Sequence, residues 1–183
     1  MDRIFWLDLE MTGLDPEQAG IIEFAGIVTD LELKPLGRYH SVVFQPQEEL
    51  DKMDSWNVKT HTATGLIHQI PGGKPLVEVE REAMAFLKPF FGRSRPILAG
   101  NSIHQDRRFI DRYMLDLSKY LHYRMIDVSS FKEVFRSLYK VTVKKRNVHR
   151  AFDDIMASIE ELQGYLQFIN VPGPVELIQD GSK

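Results

Sequence analysis

The sequence predicts an α/β fold in which a mixed β-sheet is flanked by helices, and three observations support this. Three strand-like segments come first along the chain. Segments with helical spacing then alternate with short apolar segments, an order that is typical of sheets covered by helices. A length of 183 residues, with 43% hydrophobic and 27% charged residues, fits a globular chain with a sizeable core.

The three strand-like segments lie within the first 45 residues. Apolar residues alternate over residues 3–11, and residues 21–29 are rich in apolar and β-branched side chains. Residues 39–45 form the third candidate strand. The turn-rich sequence TGLDPEQAG separates the first two. We therefore expect a meander of three strands.

The rest of the chain predicts alternating helices and strands. Helical spacing of apolar residues predicts four helices, over residues 78–91, 104–115, 129–138 and 150–169. Two short apolar segments, at residues 96–100 and 124–128, predict strands. Since there is no repeat, linker or low-complexity segment, we expect one domain over residues 1–183, with a loose tail at 170–183.

The composition excludes several classes of protein and site. The chain has no cysteine, which excludes disulfides, thiolate metal sites and a cysteine nucleophile. No apolar run approaches the roughly 20 residues of a membrane span, and the first residues do not resemble a targeting leader. We expect a cytoplasmic location. The net charge of −3 argues against bulk coating of nucleic acid.

Two carboxylates stand out in the first predicted strand. Asp8 and Glu10 lie two residues apart in WLDLEMTGLD, so they project from the same face of the strand. Adjacent carboxylates repel one another unless a cation lies between them, and oxygen ligands suit Mg²⁺ or Mn²⁺. The alternative is a polar strand face in solvent.

Two further acids lie on predicted helices. Asp106 falls about 40° from Ile110, inside the apolar stripe of its helix, where an unpaired carboxylate is costly. The alternative is a buried carboxylate that is satisfied by backbone donors. Asp154 lies at the flank of the apolar stripe of the last helix, whereas Asp153 faces solvent. Asp154 is therefore the better candidate for a metal ligand.

His149 precedes the last predicted helix by about one residue. A neutral imidazole at this position could accept a proton from an attacking water, although a lone histidine is often a surface or capping residue. Four acids and one histidine have a joint interpretation. Two divalent ions can bind a phosphodiester, activate water and stabilise the leaving oxygen, with no covalent enzyme intermediate.

Three motifs of this chain resemble those of the DEDDh exonucleases: WLDLEMTGLD, AGNSIHQDRRFI and HRAFDD. Two more segments, WNVKTHTATGL and HYRMIDVSSFK, resemble the oligoribonuclease family, and the likeness extends to about residue 169. The resemblance implies a ribonuclease H-like fold, two divalent ions (Mg²⁺ or Mn²⁺) and a homodimer. It also implies 3′-to-5′ cleavage of very short RNAs, above all dinucleotides, to mononucleotides.

The resemblance also assigns roles to individual residues. The positions that match metal-binding acids are Asp8, Glu10, Asp106 and Asp154, and His149 matches the general base. Leu14 matches a wedge beside the bases, and Trp56 matches an aromatic residue that contacts a base. The positions that match a cap on the 5′ phosphate of the substrate are Ser102, Arg124 and Ser129. Tyr123 and His61 match positions that reach over from the second subunit.

Each binding residue also has a structural alternative. Leu14 and Trp56 could belong to the core. Arg124 could pair with a surface acid, and Tyr123 could pack internally. Ser102 and Ser129 each precede a helical segment, so they could be helix caps.

Two other functions compete with cleavage of dinucleotides. One is a DEDDh exonuclease of the proofreading or tRNA-trimming type, which acts on longer RNA or DNA 3′ ends and needs an open groove. The other is a catalytically silent protein that binds RNA or acts as a scaffold. Such a protein would normally have lost at least one of the five catalytic residues, and all five are present. We expect no membrane partner and no stable protein partner other than a second copy.

Overall fold

A five-stranded mixed sheet forms the centre of the computed structural model, which describes residues 2–143 and 151–170. The strands are β1 (Arg3–Met11), β2 (Ile21–Asp30), β3 (Pro35–Val42), β4 (Leu98–Gly100) and β5 (Met125–Asp127). Their order in the sheet is β3-β2-β1-β4-β5. β1, β2 and β3 pair antiparallel, whereas β4 is parallel to both β1 and β5. The predicted meander is confirmed.

The third strand lies earlier in the chain than the predicted segment 39–45. β2 and β3 are joined by a tight turn, in which the Asp30 backbone N–H donates to the Lys34 carbonyl at 3.1 Å. Pairing resumes directly after this turn, with Pro35 opposite Thr29. The turn therefore draws the start of the strand towards the amino terminus, a constraint that alternation of apolar residues does not reveal.

Seven α-helices are described: α1 (Gln47–Leu50), α2 (Ser55–Ala63), α3 (Leu76–Phe91), α4 (His104–Tyr113), α5 (Leu115–Tyr120), α6 (Val128–Val134) and α7 (Ala151–Leu166). The four predicted helices correspond to α3, α4, α6 and α7. The predicted helix at 129–138 changes into a π-helical turn at Phe135–Tyr139. The predicted tail falls almost wholly on residues 171–183, which lie outside the described residues. No helix in the described part is long and apolar enough to cross a membrane.

The sheet separates two core layers. The odd-numbered side chains of β1 belong to the layer that includes α3 and α4: Phe5, Leu7 and Leu9. Ile4 and Trp6 belong to the opposite layer, which includes Ile155 of α7. Because side chains alternate along a strand, Asp8 and Glu10 continue the face that carries Ile4 and Trp6. The two acids are thus directed towards the side of the sheet that α7 covers.

The parallel strands β1, β4 and β5 bring their carboxyl ends to one edge of the sheet. β4 lies close to β1 there, since a Cβ atom at Gly100 would lie 2.9 Å from the Leu7 carbonyl oxygen. Only glycine fits this approach without a shift. The chain leaves each strand at this edge, where ligands commonly bind in open α/β sheets.

Candidate active site

Three acids meet at this edge of the sheet. One carboxylate oxygen from each of Asp8, Glu10 and Asp154 lies within 4.8 Å of the others. All three side chains are half-buried. Asp8 and Glu10 are adjacent on β1, and Asp154 is brought to them by the first turn of α7. Hard oxygen donors at this spacing suit a divalent cation such as Mg²⁺ or Mn²⁺.

Asp106 lies beside this group without belonging to it. Its side chain is 6% exposed, which confirms the predicted buried acid on the apolar face of α4. Asp106 Oδ1 accepts a hydrogen bond from the Leu9 backbone N–H at 2.9 Å, between the positions of Asp8 and Glu10. A backbone donor therefore does satisfy one oxygen, as the alternative interpretation expects. Burial raises the pKa of the Asp106 carboxyl to about 7.

The two neighbouring acids of α7 differ as the helical wheel predicts. Asp153 is exposed, whereas Asp154 is half-buried and belongs to the three-acid group. His149, the predicted general base, lies outside the described residues. The sequence places it five residues before Asp154.

A buried carboxylate that sequence reasoning missed lies on β2, directly opposite Glu10 of β1. Glu23 of β2 is 1% exposed and is the Cα partner of Glu10. Like charges directly opposite one another destabilise an antiparallel pair. Glu23 Oε1 lies 2.7 Å from His40 Nε2, and the His40 ring packs against Phe152 of α7. The only sequence signal was an acid inside an otherwise apolar strand.

The two predicted base-contacting residues are not part of the core. Leu14 is 74% exposed and Trp56 is 62% exposed. Leu14 lies in the loop after β1, which is held by the Thr12 N–H bond to the Gly20 carbonyl at 2.9 Å. Leu14 also lines a hollow of about 280 Å³ together with Asn57, the residue after Trp56 on α2. Both side chains are available to a ligand at this end of the site.

His61, predicted to reach over from a second subunit, is buried within its own chain, and its role towards a second subunit stays a prediction. The residue is 2% exposed within its own chain. Its Nε2 atom lies 3.3 Å from the Met11 carbonyl oxygen, at the end of β1. Burial lowers the pKa of the His61 imidazole. Its neighbours in α2 form no apolar stripe, so hydrophobic periodicity does not predict that this side chain points inwards.

A polar cluster lies where β4 and β5 end. The Asp127 Oδ1 atom accepts the backbone N–H of Ser102 at 3.0 Å and that of Ser129 at 2.9 Å. The two serine Oγ atoms are 3.1 Å apart, and Ser102 has a φ of +50°. A non-glycine residue in this left-handed region is strained and persists only where neighbouring bonds hold it.

Neither serine is a helix cap. Asp127 caps α6, and the cap position of α4 is Ile103, which makes no side-chain cap bond. Asp127, which organises this cluster, was not predicted from the sequence. The signal was present as an Asp two residues before Ser129, a pattern that is typical of a helix N-cap.

Tyr123 and Arg124 directly precede β5, and both side chains are exposed. The Arg124 guanidinium carbon lies 5.3 Å from the centre of the Tyr123 ring. Within the described ranges Arg124 makes no ion pair, which argues against pairing with a surface acid there. Tyr123 is 71% exposed, so it does not pack internally. Tyr120 instead donates its hydroxyl to the Gly92 carbonyl at 2.8 Å.

The edge thus carries three kinds of chemistry in sequence order. Acids occupy the centre, exposed apolar side chains follow β1, and serines follow β4 and β5, whereas Arg124 directly precedes β5. Acids can hold cations that act on a phosphodiester, apolar surfaces can hold bases, and serine hydroxyls or an arginine can bind a terminal phosphate.

Comparison with known proteins agrees with this arrangement. The family model RNase_T, described as an exonuclease, matches residues 5–162. The oligoribonuclease of Actinobacillus succinogenes is 46% identical over 90% of this chain and 93% of its own length. That of Neisseria meningitidis is 41% identical over 94% of this chain and 95% of its own. Exonuclease I of Methylocaldum szegediense superposes with a TM-score of 0.67 at 18% identity, over 87% of this chain and 39% of that longer one. The last comparison shows the fold, and the ribonuclease H-like expectation is confirmed.

Proposed function

The chain belongs to the oligoribonuclease family of 3′-to-5′ exoribonucleases, and on that premise we propose that it hydrolyses short oligoribonucleotides, above all dinucleotides, to mononucleotides with two divalent ions, Mg²⁺ or Mn²⁺. The observation that carries the proposal is the meeting of Asp8, Glu10 and Asp154 oxygens within 4.8 Å of one another. A cytoplasmic location, where short RNA fragments arise, fits this activity.

The four acids have separate tasks in this proposal. Asp8, Glu10 and Asp154 hold the ions, and Asp106 joins them from its buried position against the Leu9 N–H. Bound divalent ions supply a more acidic attacking water and stabilise the charge on the leaving oxygen. His149 accepts the proton of that water, because an imidazole has a pKa near neutrality.

The two ends of the substrate are held by different surfaces. Leu14 and Trp56 stack or wedge against the bases near the 3′ end, since both side chains are exposed, one in the loop after β1 and the other on α2. Arg124 receives the 5′ phosphate with the hydroxyls of Ser102 and Ser129, and its planar fork can donate two parallel bonds. A site closed at this phosphate leaves no path for a longer chain, so length is selected by exclusion.

We infer that two copies assemble into a symmetric dimer in which Tyr123 completes the partner's site. The exposed ring of Tyr123 is stacked on His122 at 4.6 Å and backed by Arg124, so an aromatic residue and an arginine, which interfaces favour, stand together. Light scattering at micromolar concentration should give the mass of a dimer. A monomer with full activity on dinucleotides would contradict the assembly.

The test of the function is the rate of hydrolysis against substrate length, from two to ten nucleotides, with Mn²⁺ and again with excess chelator. We expect kcat/KM to be highest for the 5′-phosphorylated dinucleotide and activity to stop in chelator. The alternative, trimming of longer RNA or DNA 3′ ends, predicts rates that hold steady or rise with length. A flat or rising series would put that alternative ahead.

A further inference from the structure

Helix α7 carries a buried carboxylate that none of the proposed steps uses. Glu161 is 2% exposed, seven residues beyond Asp154. Among the described residues it makes no ion pair with a basic side chain. Its two oxygens accept hydrogen bonds from Tyr165 and Asn101, each at 3.1 Å. A buried charge without a cationic partner is costly, so these two donors have to hold it.

The carboxylate fixes which way the Asn101 amide points. A carboxylate can only accept, so the atom of Asn101 that faces Glu161 must be its NH₂ group. The same NH₂ group donates to Ser158 Oγ at 2.8 Å. The amide oxygen is thereby turned away from α7, and it accepts a bond from Ser129 Oγ at 3.2 Å.

The chain of bonds continues into the polar cluster at the ends of β4 and β5. Ser129 Oγ accepts the Ser102 backbone N–H at 2.9 Å, and this bond helps to hold Ser102 in its strained conformation. Asn101 itself directly follows β4 and so lies between α7 and the cluster. The position of both serines therefore depends on an amide whose orientation is set by Glu161.

We propose that Glu161 is a positioning residue for the 5′-phosphate end of the substrate, acting through Asn101 on Ser129 and Ser102. The inference rests on the proposed 5′-phosphate subsite. It assigns to α7 a second task besides carrying Asp154. Glu161 touches neither substrate nor metal, and it determines how strongly a terminal phosphate is preferred.

The hydrogen bond from Tyr165 holds the Glu161 carboxylate itself and does not orient Asn101. Burial raises the pKa of the Tyr165 hydroxyl to about 12, so the hydroxyl remains a donor to Glu161 at neutral pH. Among the described residues, Tyr165 has no hydrogen bond with Asn101 or with either serine, and its hydroxyl donates to the second oxygen of the carboxylate. Loss of this hydroxyl should therefore loosen Glu161 and leave the amide orientation of Asn101 in place.

The experiment compares two dinucleotides, one with a 5′ phosphate and one with a 5′ hydroxyl, in wild type and in Glu161→Leu. The readout is the ratio of their kcat/KM values. We expect Glu161→Leu to lower this ratio about tenfold, through the KM of the phosphorylated substrate, while the rate on the hydroxyl substrate changes less than twofold. Glu161→Gln should keep most of the ratio, because its amide oxygen can still accept from Asn101.

Three controls separate positioning from general damage. Glu160→Gln changes an exposed acid one residue away and should leave the ratio unchanged. Tyr165→Phe should lower the ratio less than threefold. Mn²⁺ affinity, measured by calorimetry, should be the same in Glu161→Leu and wild type, since Asp154 stays in place. An equal loss on both substrates, or an unchanged ratio, would overturn the inference.

A second variant covers the case in which Glu161→Leu does not fold. Asn101→Leu removes the amide that links Glu161 to Ser129, and it should lower the kcat/KM ratio by the same factor. Where both variants fold, the double variant should lower the kcat/KM ratio no further than either single variant. Both substitutions interrupt the same series of hydrogen bonds. Additive losses would overturn the inference. If wild type shows no preference for the 5′ phosphate, the proposed subsite fails, and that result is distinct from a preference that survives Glu161→Leu.

Discussion

The acid end and the phosphate end of this site lie on one edge of the sheet, yet they are built differently. Asp8, Glu10, Asp106 and Asp154 stand on a strand and two long helices, with their backbones inside regular structure. The proposed phosphate end combines Ser102 and Ser129, which follow β4 and β5, with Arg124, which directly precedes β5. There Ser102 is strained, and Arg124 is exposed. In the proposed site, regular elements would carry the metal ligands, and connecting segments would select the substrate.

The two ends also differ in electrostatics. At the acid end, three carboxylates lie close together and burial raises the pKa of Asp106, so divalent cations bound there would stabilise the ionised carboxylates. At the phosphate end, Asp127 and Glu161 have their oxygens bonded to N–H and O–H donors. Substitutions at the first end should therefore affect catalysis and metal-linked stability, and those at the second should affect specificity.

The largest effect is expected at the acid end. Asp8→Ala, Asp106→Ala and Asp154→Ala should each lower kcat by on the order of 10³-fold or more, since each acid helps to hold an ion that supplies several kcal/mol to the transition state. Dinucleotide hydrolysis with Mn²⁺ measures this, and circular dichroism checks folding. Asp153→Ala is the matched control and should be mild. Near wild-type turnover in any of the three would refute the metal role of that residue.

At the phosphate end, Arg124→Ala should reduce kcat/KM for a 5′-phosphorylated dinucleotide. The expected cost is about 1.5–3 kcal/mol, the usual size of a charged hydrogen bond, or about 10- to 150-fold. Five-mers should lose much less, so the preference for short substrates flattens. The ratio of two-mer to five-mer kcat/KM in wild type and variant is the measurement. An unchanged ratio would show that Arg124 does not cap the substrate.

Substitution of Trp56 should weaken substrate binding and leave the stability of the fold unchanged. Trp56→Ala should raise KM by about tenfold, because stacking of a base on an aromatic ring contributes about 1–3 kcal/mol. The melting temperature should hardly change, since Trp56 is 62% exposed. Val77→Ala, a change at a 74% exposed residue on α3, is the control. A loss of stability without a change in KM would return Trp56 to a structural role.

The smallest expected effect is a pH dependence of stability that arises from Asp106 at the acid end. In chelator, the folded protein keeps the Asp106 proton up to about pH 7, whereas the unfolded chain releases it near the usual 3.8. The folded state binds more protons between these values, so the free energy of unfolding falls as the pH rises through that window. The Asp106→Asn variant should not lose stability as the pH rises. Its melting temperature should be a few degrees above that of wild type at pH 8, and the two melting temperatures should converge near pH 4. Thermal melts at both pH values, with and without Mn²⁺, measure this, and a gap that is independent of pH would contradict it.

The acid end was largely predictable from sequence, because its geometry follows from local periodicity. Spacing by two residues put Asp8 and Glu10 on one face, and the helical period separated Asp154 from Asp153. The parts that were missed depend on contacts between distant segments. Glu23 meets His40 only through the β2–β3 register, and Asp127 organises Ser102 from 25 residues away.

The helices before α3 were missed for a related reason. α1 is a single turn, and α2 has no apolar stripe, so hydrophobic periodicity cannot reveal them. For the same reason, the inward orientation of the His61 side chain could not be predicted. Resemblance to a family supplied Leu14 and Trp56 as binding residues, whereas composition alone left a place in the core equally open. Their exposure decides against the core.

The acid group joins the beginning of the chain to its far part. Asp8 and Glu10 belong to the first strand, which lies in the middle of the sheet, whereas Asp154 arrives only with the last described helix. A chain still being synthesised on a ribosome, surrounded by RNA, therefore carries two of the acids for most of its elongation without the third. Contacts of such long sequence separation form late. The three-acid group is therefore incomplete until α7 packs against β1.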